Sequence, residues 1–318
     1  SSNQTNRSGT TYIYMAIRRP NKPPEAATEV FAIDYGDDSS TIPCFNSVFP
    51  VDFAIRCSPA LNGNDHRALS RVQGTKALFT SSTATESTDN DTVWDSMAGY
   101  GKGINNNFLS YMFKRAPGFM DVVAYTGTGS AQAINHNLGV VPELISVKCK
   151  SHGDSWMVYA NGVGPTKTLK LNNEGAAGTF SNRWNGAPTS SVINISTDTS
   201  VGSSGRTYVA YLFATLSGIS KVGLYTGTGY AINVDCGFSA GARFILIKRT
   251  DADADWYVWD TTRGIASGND PYFLLNSAVP QVTNTDYIDP LNAGFTVTAS
   301  APAALNASGG TYLFLAIA

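Results

Sequence analysis

Residues 205–229, GRTYVAYLFATLSGISKVGLYTGTG, run from the end of one unit straight into the start of the next, and both halves recur along the chain. The first half, Gly-x-Thr-Tyr followed by alternating apolar residues, stands at Gly9–Ile17, Gly205–Phe213 and Gly309–Ile317. The second, Tyr-Thr-Gly-Thr-Gly, begins at Tyr125 and again at Tyr225. A repeat constrains the fold more than any isolated motif, because every copy must build the same supersecondary unit and bury its apolar face against a neighbour. Tyr125 and Tyr225, Lys148 and Lys248, and Trp156 and Trp256 each lie 100 positions apart; Pro50 and Pro142, and Cys57 and Cys149, lie 92 apart.

These offsets divide the chain into a closing strand with a proline-rich linker (1–27), a divergent unit (28–117) that reads DYGDDS where the others have YTGTG, and two closely similar units (118–217 and 218–318). Within them the strand pattern is period-two: FPVDFAIRC, VPELISVKCK and ARFILIKR as one strand type, and TKALFTSS and TKTLKLNN as another. Thirty glycines and 11% aromatic residues suit short strands with frequent turns. The expectation is an all-β fold of tandem β-sandwich repeats, jelly-roll or lectin-like, about 100 residues each and stacked into an elongated array. The closing strand at residues 9–19 has no preceding unit to close and is expected to complete a neighbouring subunit.

The formal net charge of -2 supplies no field to attract nucleic acid, and no apolar run reaches the length of a bilayer-spanning helix. Four cysteines without CxxC spacing read as free thiols, with Cys57 and Cys149 as matching buried hydrophobes. Only three histidines, His66, His136 and His152, are available as bases, and no GxSxG, HExxH or phosphate-loop motif accompanies them. The YTGTG segments read as turns or bulges, since no helix follows. Asp251-Ala-Asp-Ala-Asp255 has a metal-like start, but the glycine and twelfth-position acid of a calcium loop are replaced by Trp256 and Thr262. No catalytic, cofactor or metal site is assigned, and a non-enzymatic role is expected. The candidates for ligand contact are the aromatic residues Trp184, Tyr257 and Trp259, because an exposed ring presents an apolar face and a polar rim to a sugar. In Trp256-Tyr-Val-Trp259, alternation puts Trp256 and Val258 on one face and Tyr257 and Trp259 on the other, so one pair should be core.

The ordered series VVAYTGTG, VPELISVK, KTLKLNN and GRTYVAYLF, followed by VGLYTGTG, ARFILIKR, WYVWDTTRG, YFLLNS and GGTYLFLAIA, resembles the repeated domains of unassigned function in tailed-bacteriophage virion proteins labelled tail fibre or tail tip. The resemblance covers residues 115–318 strongly and the first unit weakly. It implies a structural protein on the virion surface that mediates host attachment, a homo-oligomer with a trimer as first expectation, and contacts with other virion proteins and a host surface glycan or protein receptor. The alternatives are a carbohydrate-binding module of a glycan-active protein and a capsid decoration protein.

Overall fold

The computed structural model describes residues 11, 15, 22–61 and 63–318; the closing strand expected at residues 9–19 lies outside them apart from two positions. The described chain is all-β, with antiparallel strands, two single-turn 3-10 helices (Ala27–Glu29 and Arg71–Gln73) and one short α-helix, Ala303–Asn306.

Each unit has the same large sheet. In the first, an opening strand (Phe31–Tyr35) pairs with the closing strand (Leu109–Phe113), which pairs on its other side with an inner strand (Phe53–Cys57); Arg67–Ser70 and Lys76–Phe79 follow outward. The second repeats this order with Met120–Thr126, Thr207–Phe213, Leu144–Cys149, Met157–Ala160 and Lys167–Lys170. The third does so with Ser220–Thr226, Thr311–Ile317, Phe244–Arg249, Trp256–Asp260 and Phe273–Leu274. A smaller sheet lies against each large one: Phe45–Asn46 with Gly99–Tyr100, Gln132–Asn135 with Val192–Ile195, and Gly294–Val297 between Ile232–Asp235 and Ile288–Leu291. In the YTGTG turns, Gly129 and Gly229 take positive φ, while a Cβ on Gly127 or Gly227 would fall within 2.3 Å of a facing backbone oxygen.

The large sheets are apolar on both faces, and the two faces have different partners. In the last strand, Tyr312, Phe314 and Ala316 pack inside the third unit, whereas Leu313, Leu315 and Ile317 join a core common to all three units. Thr207–Phe213 divides in the same way: Tyr208, Ala210 and Leu212 pack inward, and Val209, Tyr211 and Phe213 face the common core. Double burial explains why these strands read as continuous apolar runs instead of a polar and apolar alternation.

The three units close on one another, which corrects the expected elongated stack. The Trp156 indole N–H donates to the Phe79 carbonyl of the first unit (2.8 Å), and Trp256 does the same to Lys170 of the second (2.8 Å). At the equivalent place His66 of the first unit sets its ring 5.0 Å from Phe273 of the third, beside Leu274, with neither ring nitrogen making a well-formed hydrogen bond. A pair of backbone hydrogen bonds latches every seam. Glu86 and Asp154 donate to Lys150 and Thr83; Ala177 and Ala254 donate to Thr250 and Glu174; Gln281 and Gly63 donate to Pro59 and Ala278. The same contacts thus run from second to first, third to second and first to third. A stack of three has two seams; this arrangement has three, so it is a ring with pseudo-threefold symmetry.

The structure also corrects one register. Phe53 and Leu144 both pair with the last residue of their closing strand, so Cys57 corresponds to Lys148 and not to Cys149. Cys57 faces the common core and Cys149 the interior of its own unit, because a one-residue slip turns every side chain to the other face. All four cysteines are buried and free.

Candidate functional site

The aromatic residues singled out from the sequence are inside the protein. Trp259 is fully buried, Trp184 is 5% exposed and Tyr257 8%, so none presents an open ring face to a ligand. Trp184 donates its indole N–H to the Thr168 hydroxyl (3.0 Å) and packs edge-on to Tyr159. Both faces of Trp256–Trp259 are core: Trp256 and Val258 belong to the common core, Tyr257 and Trp259 to the third unit's own.

Tyr257 and Trp259 nevertheless lead to the most distinctive surface of the third unit. They stack on each other (5.8 Å) and support Tyr272, whose centroid is 5.2 Å from Tyr257 and 5.6 Å from Trp259; Tyr287 continues the series at 5.9 Å. Tyr272 and Tyr287 are half-buried and are carried by a long segment, 265–287, with little regular structure. That segment is tied down by Asp270, which is fully buried and accepts the backbone N–H groups of Tyr287 (3.0 Å) and Ile288 (3.0 Å). The Asp270 N–H donates to the Thr285 carbonyl, and the Thr285 hydroxyl donates back to the Asp270 carbonyl. Asn284, at φ 59°, donates its N–H to the Asn269 side chain (3.0 Å). Burial raises the Asp270 carboxyl to about 7 against the opposing pull of the two N–H groups. Burial first, then Tyr287, Asp255 and Asp270, pushes the Tyr272 hydroxyl up to about 12. Tyr272 therefore stays a neutral phenol at physiological pH. The platform offers aromatic surface and hydrogen-bonding groups held on a rigid support. Tyr272 and Tyr287 were missed in the sequence because isolated tyrosines in an Asn, Asp and Thr-rich loop lack strand periodicity; the signal available was the length of that loop.

The other chemically loaded residues are occupied structurally. Asp251 pairs with Arg249 (3.0 Å) and accepts the Thr311 N–H, Asp253 accepts the Ala176 N–H, and Asp255 accepts the Asn276 amide. Among the described residues no three His, Cys, Asp or Glu side chains form a group able to hold a metal. His66 lies in a seam, His136 contacts the Thr189 carbonyl and the Leu138 N–H, and His152 is exposed beside Ser151, so the three are separate.

A buried polar cluster lies in the seam between third and first units. The Tyr111 hydroxyl (2.8 Å) and the Arg263 Nε (2.5 Å) both donate to Asp260 Oδ2, and the Arg263 guanidinium lies 3.9 Å over Phe273. The Arg263 and Asp260 side chains are 2% and 0% exposed. A group so enclosed holds the units together and has no access to substrate. Burial drives the Tyr111 hydroxyl well above its ordinary range.

Residues 113–318, the second and third units with the last residue of the first unit's closing strand, match the family model described as Domain of unknown function (DUF7483). The chain belongs to that family. No curated protein matches the sequence. The DUF7483 segment contains the Tyr272 and Tyr287 platform and the whole seam between second and third units, while His66 and Tyr111 lie in the first unit, outside it.

Proposed function

We propose that this protein is a structural component of a tailed-bacteriophage virion, a tail fibre or similar appendage exposed on the particle, that mediates attachment to the host. The observation that carries the reading is the ring itself: antiparallel sheets whose tryptophans, tyrosines and ion pair are committed to one another, leaving the loops as the exposed surface. The resemblance of the strand series to repeated virion domains supports it. A jelly-roll or lectin-like topology, assembly of copies into a trimer, and contact with other virion proteins belong to the same proposal. Many weak contacts on repeated copies supply avidity without one strong site. Immunogold labelling of intact particles is expected to decorate the tail, and purified protein is expected to compete with particles for adsorption. Absence of the protein from the virion would refute the proposal, and label confined to the capsid would favour a decoration protein.

A carbohydrate-binding module is the second reading, favoured by the Tyr272 and Tyr287 platform, where the neutral Tyr272 phenol and two half-buried rings suit polyol contacts. Glycan-array binding abolished by Tyr287→Ala, with particle adsorption unaffected, would select it.

A further inference from the structure

The mouths of the three seams differ in charge at two matching positions. The residue before the inner strand is Asp52, Glu143 or Arg243, and the residue after the strand beside it is Arg71, Asn161 or Thr261. Phe53 pairs with Ser70, Leu144 with Ala160 and Phe244 with Asp260, which fixes the correspondence. In the first unit Arg71 begins the single turn that touches Met120–Thr126 of the second unit. Its Nε lies 3.8 Å from the Asp52 carboxylate and donates to the Val51 carbonyl (3.2 Å), while Nη1 donates to the Trp94 carbonyl (2.9 Å). In the third unit Arg243 is itself the cation: Nε donates to the Ala318 carbonyl (2.8 Å), and Nη2 donates across the seam to the Phe31 carbonyl of the first unit (3.2 Å). A guanidinium therefore stands at two of the three mouths.

The mouth between the second and third units has the carboxylate without the cation. Glu143 Oε2 accepts the Thr215 N–H (2.6 Å), as Asp52 accepts the Arg115 N–H (2.8 Å), but among the described residues Glu143 forms no ion pair. Beside it opens a pocket of about 150 Å³, lined by Glu143, Asn161 and Gly162 of the second unit and by Val222, Leu224 and Leu313 of the third. Gly162 makes the room, since a Cβ there would fall 2.4 Å from Leu224 Cδ1; the first unit has Val72 at this place. We propose that the pocket binds a guanidinium on a short aliphatic stem supplied from outside, the chemistry of an arginine side chain or a small alkylguanidine. The planar head matches the Glu143 carboxylate, which the Thr215 N–H already holds in place, and the stem lies along Val222, Leu224 and Leu313. A cavity of about 150 Å³ accommodates benzene, so a guest of about seven non-hydrogen atoms, such as propylguanidinium, is matched to this one in size.

The test is an NMR titration of the full chain, labelled at leucine methyl groups, with propylguanidinium chloride. The Leu224 and Leu313 signals should shift with a Kd of about 1 mM, as befits so small a guest. Propylurea, of the same shape without the charge, should bind at least about tenfold more weakly. Glu143→Gln, which keeps an acceptor for the Thr215 N–H, should weaken propylguanidinium binding by a similar factor. Asn161→Arg restores the residue of the first unit as a tethered guanidinium and should abolish binding of the free one. A blocked tripeptide with a central arginine distinguishes the sources: affinity equal to that of propylguanidinium assigns the pocket to a partner's side chain, and exclusion of the peptide assigns it to a free small cation. No shift at either leucine up to about 50 mM, propylurea binding as tightly as propylguanidinium, or unchanged affinity in Glu143→Gln would overturn the inference.

Discussion

The seam between the second and third units and the seam between the third and first have the same geometry and opposite chemistry. In the former, Leu315 and Ala160 belong to the common apolar core and the partly buried Val163 packs against it. In the latter the equivalent residues are Tyr111, Asp260 and Arg263, a buried hydrogen-bonded ion pair. The remaining seam is intermediate, with the Tyr211 and Ser70 hydroxyls donating to the Gln73 side chain (2.7 and 2.6 Å). The polar version accompanies two other losses at the first unit's edge: His66 replaces the tryptophan, and Cys57 replaces the lysine whose ammonium reaches a neighbouring carbonyl at the other two seams. One backbone frame thus accepts an apolar, a neutral polar or a charged plug, because the latches fix the spacing and the plug needs only to fill it with most of its polar atoms paired, Gln73 Nε2 and Arg263 Nη1 being the ones left without a partner. The charged plug adds directional demands that an apolar one lacks.

The largest effect should come from breaking the charged plug. Arg263→Ala leaves the Asp260 carboxylate buried without its partner and should cost about 3–5 kcal/mol in urea unfolding. Converting the whole plug to the apolar kind, Tyr111→Leu with Asp260→Ala and Arg263→Val, should recover most of that loss, since well-packed apolar replacement of a buried pair is often neutral. If the triple variant is as unstable as the single one, the seams are not interchangeable.

Comparable in size is the loss of the tryptophan that the first unit lacks. Trp256→Ala should destabilise the protein by about 3–5 kcal/mol, through lost packing in the common core and loss of its bond to Lys170. His66→Ala, with no well-formed hydrogen bond to lose, should cost clearly less in the same assay.

Smaller again is the neutral plug. Gln73→Ala leaves the Tyr211 hydroxyl without an acceptor and should cost about 1–3 kcal/mol.

The smallest effect distinguishes the lysine seams by pH. Burial lowers Lys148 and Lys248 from 10.5 to about 8. Below pH 8 both are charged in folded and unfolded chains, and the full desolvation penalty opposes folding. Between about 8 and 10.5 the folded protein binds fewer protons than the unfolded one, so these two groups add stability as pH rises. Urea midpoints across this window should climb relative to a Lys148→Met, Lys248→Met variant; a parallel pair of curves would show that the lysines are not desolvated as described.

Much of this was legible in the residues. The strand order followed from repeated motifs, and the strongest segments, such as VPELISVKCK and GGTYLFLAIA, contain the observed Leu144–Cys149 and Thr311–Ile317. Arg67–Ser70 was not foreseen, because four residues beginning with arginine and ending in serine carry little period-two signal. The site was less legible. Trp184, Tyr257 and Trp259 were picked for ring chemistry, but large aromatics are also the best fillers of a two-layered core, and composition does not separate the two uses. The offset of 92 matched Cys57 to Cys149 by letter, while pairing partners matched it to Lys148, since strand register is decided by neighbours across the sheet.

By itself the sequence determined the all-β class and many of its strand-forming segments, because local alternation and turn residues are properties of neighbouring positions along the chain. Whether three such units stand in a row or close on themselves was decided only in three dimensions. A strand apolar on both sides announces that two layers must cover it, and nothing in its letters says whether the second layer is the next unit or one two hundred residues away. That choice belongs to the seams, where Tyr111 meets Asp260 and Arg263 across separations of 149 and 152 residues.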